Sequence, residues 1–201
     1  MILILMLLGL ILTACITILL LQASYEDMKQ RTIGSLHVVV LYILVAFYTV
    51  ITNTISMQTT FVFLFAFIIF MGIAVFSRGH FGIGDAMVIG ALAWYFGNFM
   101  QLQFFLFSIG FISIPWWFLW AFKFRNDNTF KGLFTGFKKT LPIDKVRPGM
   151  VLATDNFMQG LTSKDIDRMR MDGYITVNVK FPYPFIPVIF MAFLSTLLHA
   201  L

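Results

Sequence analysis

The chain has 201 residues, 60% of them hydrophobic and only 11% charged, with a mean hydropathy of +0.90. A soluble domain carries about a quarter charged residues, so this composition excludes an ordinary water-facing surface and makes lipid the expected solvent. The one cysteine, Cys15, excludes an intramolecular disulfide and a thiolate metal cluster, and the net charge of +5 fits contact with anionic lipid rather than nucleic acid, since the basic groups flank apolar runs.

Six apolar stretches follow in chain order: 1–22, 36–55, 59–76, 85–96, 102–122 and 185–201. Each reads as a transmembrane helix, the fourth being short for a span unless it runs on toward Gln101. No Lys or Arg precedes Lys29, so the first stretch lacks the charged start of a cleaved signal peptide and reads as a retained span. The connections alternate in character. Segments 23–35 and 77–84 are polar and charged, whereas 52–58 and 97–101 carry no charge. Counting crossings places all 14 basic residues on one side, together with the long segment 123–182. By the positive-inside rule that side is cytoplasmic and both termini face out. The expected protein is therefore a multi-pass, all-α protein of the cell membrane, with a membrane domain over 1–122 and a sixth helix over 183–201.

Between the fifth and sixth helices, 123–182 reads as a small α+β cytoplasmic insert. Segment 123–140 is basic and is expected to lie along the membrane surface, 142–149 is turn-rich, and 150–153 is a short strand. Thr162 and Asp165 have the spacing of an N-cap and its third-position acid, with Leu161 as a staple. The helix they start should stop at Gly173, and 174–181 alternates as a strand. An insert of roughly 40 ordered residues is marginal alone and should lean on the membrane helices.

Two aspartates invite chemistry. Asp27 sits just past the first span in Ala23-Ser-Tyr-Glu-Asp27-Met-Lys29, and Asp85 opens the fourth in Gly82-Ile-Gly-Asp85. Both fall at the cytoplasmic edge, and an ionisable residue at the start of an apolar helix is costly enough to be a functional candidate. Gly82 and Gly84 remove bulk before Asp85. Ala86, Gly90, Ala91 and Ala93 then let the fourth helix approach its neighbours closely. Two carboxylates brought together in a low-dielectric site share a proton. One activates a water as general base while the other donates to the scissile carbonyl. The competing reading makes each aspartate a helix cap. Glu26 is an adjacent ambiguity: it points about 100° from Asp27 on a helix, so only one of the two should face the partner.

The residues Gly82-Ile83-Gly84-Asp85, together with Asp27 followed by Lys29, Arg31 and Ile33, resemble the GxGD aspartyl proteases of the type IV prepilin and archaeal preflagellin peptidase family. Pro184-Phe-Ile-Pro187 is similar to that family's proline-rich start of the last helix, and the order of spans and insert looks most like the archaeal branch. The resemblance implies that Asp27 and Asp85 are the catalytic pair and that Gly82 and Gly84 shape the loop before the second aspartate. It implies no cofactor and no metal, and a substrate in the basic leader of a pilin-like or archaellin-like precursor, cut at the cytoplasmic face. Glu26 is the acidic candidate for contact with that leader. Two positions depart from the pattern: Gly34 stands where the family often has Pro, and Met87 where it often has Lys. The chain also has only Cys15 and lacks the cysteine-bearing region linked to methylation in bifunctional relatives, which leaves peptidase activity alone. A non-catalytic scaffold, a transporter subunit, or a degenerate relative remain the alternatives.

Other features carry less. Segment 79–84 is glycine-rich but lacks the Lys-Ser/Thr of a phosphate loop. His37, His80 and His199 are scattered, and Asp165 and Asp167 belong to a solvated helix face. Trp116, Trp117 and Trp120 mark the cytoplasmic end of the fifth span, where indole rings anchor at the interface.

Overall fold

The computed structural model describes residues 2–30, 33–76, 82–124, 138–148, 150–152, 161–180 and 184–200. Six apolar helices form a bundle: α1 (Ile2–Gln30), α2 (Ser35–Ile51), α3 (Met57–Phe76), α4 (Ile83–Phe96), α5 (Phe99–Phe124) and, after the insert, α7 (Ile186–Ala200). Three contain stretches long and apolar enough to cross a membrane, Leu3–Met28, Met57–Phe76 and Phe99–Phe122; α2, α4 and α7 are shorter apolar helices.

Helix α4 lies at the centre, against α2, α3, α5 and α7, while α1 bridges α2 and α7. Nearly every residue of α4 from Ala86 to Phe96 is buried, whereas α1, α2, α3 and α5 turn large apolar side chains such as Leu10, Phe47, Ile68 and Phe111 outward. A helix apolar all round belongs in an interior, and the alanines and Gly90 of α4 let its neighbours close in: a methyl group on Gly90 would lie 3.0 Å from the Phe67 ring and 3.1 Å from the Tyr42 hydroxyl.

Several boundaries differ from the sequence expectation. Helix α1 does not end near Gln22 but runs to Gln30, because 23–30 contains neither Gly nor Pro and its polar side chains tolerate helix. The fourth helix ends at Phe96, where its apolar stretch ends, and does not run on toward Gln101. The stop is Gly97, which adopts the left-handed conformation (φ 69°) that glycine takes without a Cβ penalty. Asn98 then caps the next helix, its Oδ1 accepting from the Gln101 N–H at 2.8 Å, so α5 begins at Phe99 rather than at Leu102.

The insert holds β1 (Lys138–Pro142), a 3-10 turn (Ile143–Lys145), β2 (Val151–Leu152), α6 (Ser163–Met171) and β3 (Thr176–Lys180). Its three strands are antiparallel in the order β1-β3-β2, and its own small core joins Val146, Leu161, Ile166, Val177 and Val179. Thr162 and Asp165 form the expected capping box, and the helix ends before Gly173 at φ 79°. Strand β1 is an addition. Its Lys-Lys-Thr start reads as a membrane-surface segment, yet 138–142 pairs with β3. The expected readings over 31–32, 77–81, 125–137, 153–160 and 181–183, including Arg31, Arg78 and His80, lie outside the described residues.

Candidate active site

Ile33, just before α2, packs on Gly84 at the start of α4; Ile186, which opens α7, bonds Asp27 near the end of α1; Trp116, late in α5, bonds Pro184 just before α7; and Phe63 and Phe67 of α3 meet Trp94 and Gly90 of α4 in antiparallel order. The C-termini of α1, α3 and α5 therefore gather at one end of the bundle with the N-termini of α2, α4 and α7. Asp27, Asp85 and the insert all belong to that end.

On α1, Gly9, Ile16, Leu20, Ala23, Ser24 and Asp27 are the buried positions among the described side chains, spaced as one helical stripe. Asp27 continues the packing face of its own helix and is only 6% exposed. A buried carboxylate needs hydrogen-bond donors to offset its desolvation. One comes from another helix: the Ile186 backbone N–H donates to Asp27 Oδ2 at 3.1 Å. Ile186 opens α7, so Asp27 sits at the positive end of that helix, a placement worth up to about 2 kcal/mol when partly buried.

Asp85 occupies the third position of α4. Its Oδ2 accepts from the Gly82 backbone N–H at 3.1 Å. This is half of a capping box, because Gly82, the N-cap, has no side chain to return the bond. The same glycine makes room: a methyl group on Gly82 would lie 3.0 Å from Asp85 Oδ2. Gly84 admits Ile33, whose Cδ1 would stand 3.2 Å from a methyl group there. The α1–α2 connection thus packs directly over the first turn of α4. Asp27 and Asp85 are near enough for the charge of one to act on the other.

Glu26 faces elsewhere. Its Oε2 is 3.4 Å from Nδ1 of His37 on α2, so the two neighbouring acids of α1 divide, Asp27 toward α7 and α4, Glu26 toward α2. The His37 ring lies over Gly34, whose added methyl group would approach Nδ1 to 3.2 Å. Gly34 itself has φ −62° and ψ 133°, and that φ is one a proline ring would also impose. Met87 is partly buried against the core, and its carbonyl accepts from the Tyr42 hydroxyl at 3.1 Å.

The start of α7 is held from a third side, an arrangement that sequence reading missed. The Trp116 indole Nε1–H donates to the Pro184 carbonyl at 3.2 Å. The tryptophan was legible as an interfacial anchor, but nothing in its spacing names a partner across the whole insert.

Among the described residues, no three His, Cys, Asp or Glu side chains gather as a metal site. Neither the protein-family models nor the curated proteins nor the solved structures contain a match to this chain.

Proposed function

We propose that the chain is a membrane-embedded aspartyl endopeptidase in which all six apolar helices cross the bilayer, α2, α4 and α7 included. Asp27 and Asp85 would share the work at the cytoplasmic face. One carboxylate takes a proton from water as that water attacks the scissile carbonyl carbon; the other hydrogen-bonds the carbonyl oxygen. The C–N bond then breaks and the amine leaves with a proton. The substrate class is a precursor with a short basic leader of the pilin-like or archaellin-like kind, for which Glu26, turned toward α2, would be an acidic contact. The observation that carries this reading is the convergence of Asp27 from α1 and Asp85 from α4 at one end of the bundle, within reach of each other's charge.

A second reading has its own support. The backbone donors at Asp27 and Asp85 belong to the first residues of α7 and to the N-cap of α4, as expected of helix caps in a non-catalytic scaffold or transporter subunit. Substitution by asparagine separates the two readings, because the amide keeps an acceptor oxygen for each N–H while losing the acid. Co-expressed with a precursor bearing a basic leader, the wild type is expected to release the leader, seen as a mass shift. Asp27→Asn and Asp85→Asn are expected to insert normally and cleave at least about 10³-fold more slowly. Cleavage retained in either variant would leave the cap reading standing.

A further inference from the structure

The start of α7 is fixed at two points two residues apart. Pro184 takes the Trp116 indole N–H on its carbonyl at 3.2 Å, and Ile186 gives its own N–H to Asp27 at 3.1 Å. Between and beyond them the turn has little freedom. Proline at 184 and 187 fixes two φ angles. Pro187 has no N–H to offer, and those of Val188 and Ile189 both return to the Phe185 carbonyl, at 3.0 and 3.1 Å. The Ile186 N–H, by contrast, is turned to Asp27. Pro184, Ile186 and Pro187 are all buried, so water does not readily replace either bond.

We infer that Trp116 is a positioning residue for Asp27, acting through the first turn of α7: its indole holds the Pro184 carbonyl and so holds the Ile186 N–H on the Asp27 carboxylate. The inference rests on the proposed role of Asp27, and it assigns to a tryptophan of α5 a function distinct from anchoring in the interface. An anchor needs the ring; a positioning residue needs the N–H. Trp116 also packs against the bundle core, so truncation to alanine would confound the two. Trp116→Phe keeps an aromatic ring and removes only the donor.

The experiment uses the full chain in membranes or nanodiscs, with steady-state cleavage of a precursor and amide hydrogen exchange read on the same samples. Loss of one neutral hydrogen bond corresponds to a 3- to 10-fold effect, on the order of 1 kcal/mol. Trp116→Phe is expected to lower kcat by about that factor with KM within about twofold, since substrate contacts are untouched. It is also expected to speed exchange at the Ile186 amide by a similar factor. Asp27→Ala should speed the same amide, while amides near Phe193 keep their protection in both variants. Unchanged kcat and unchanged Ile186 exchange in Trp116→Phe overturn the inference, as does a rise in KM alone. Should the wild type cleave no precursor, the peptidase reading falls by itself, and the exchange arm still decides. Faster exchange at Ile186 in Trp116→Phe sustains the hold on Asp27, and unchanged exchange refutes it.

Discussion

A methyl group on Gly82 would stand 3.0 Å from Asp85 Oδ2, tighter than nearly all real contacts of a side chain's first carbon, and the atom it meets is the carboxylate itself. Gly82→Ala should therefore displace the Asp85 carboxylate by a few tenths of an ångström from its place on the Gly82 N–H. The backbone there is ordinary, at φ −77° and ψ 146°, so alanine costs no backbone strain. The expected result is a loss of precursor cleavage of about tenfold or more, misplacement of a reacting group by a fraction of an ångström being expensive, with little change in the thermal unfolding midpoint. Cleavage rates beside a melting curve check both halves. Gly84 differs in kind, because a methyl group there meets the far end of Ile33 at 3.2 Å, which can swing aside. Much at this scale was legible in the sequence. The aspartates and their glycines stand out as polar or small residues at the edge of apolar runs, where either is expensive or unusual. The choice between Glu26 and Asp27 was not legible, because it depends on which face of α1 continues the stripe of Leu20 and Ala23.

In helix α6 the Thr162 hydroxyl accepts from the Asp165 N–H at 3.3 Å, and Asp165 Oδ2 accepts in return from the Thr162 hydroxyl at 2.7 Å and from its backbone N–H at 2.9 Å. Those bonds from Thr162 hold the Asp165 carboxyl below the usual aspartate range. A carboxylate with a depressed folded pKa contributes stability that is whole above its unfolded value, near 3.9, and that is lost as pH falls through the lower folded value. Amide exchange across 163–171 in the full chain should then quicken at strongly acid pH. Thr162→Ala should reproduce much of that loss at neutral pH, at a cost of about 1 kcal/mol; protection in that variant equal to wild type would show that packing of Ile166 alone maintains the helix. This cap was readable from Thr162 and Asp165 alone, since its chemistry spans three residues. The break at Gly97 and Asn98 carries the same kind of local signal, a left-handed stop followed by a cap. Strand β1 was not readable. Lys138, Lys139 and Thr140 become a strand only because β3, about 40 residues later, offers the ladder, and long-range pairing leaves no local trace.

Across the whole molecule, the outward-facing Leu, Ile, Val and Phe of α1, α2, α3, α5 and α7 form an apolar envelope far larger than the few hundred Å² that soluble monomers expose. Three of the helices are long enough to cross a membrane unaided. The proposed six crossings make a further demand, that 52–56 and 143–145 lie on opposite sides. In a Cys15→Ala background, Thr54→Cys should react with a membrane-impermeant maleimide from outside intact cells and Lys145→Cys only after permeabilisation. Labelling of both positions from one side would refute the six-crossing arrangement. Central α4, about 21 Å long at 1.5 Å per residue, falls short of a hydrocarbon core of about 30 Å, but its neighbours rather than lipid surround it. The sequence reading could place it as apolar and short but could not see that it is enclosed. The bond from Ile186 to Asp27 joins residues 159 positions apart, and that separation has a consequence in time. A ribosome adding about 5–20 residues per second adds Ile186 roughly 8–30 s after it adds Asp27. Throughout that interval the emerging polypeptide holds its first aspartate without the α7 donor. On the peptidase reading, a half-made chain is therefore an unfinished enzyme, armed only once α7 has been translated.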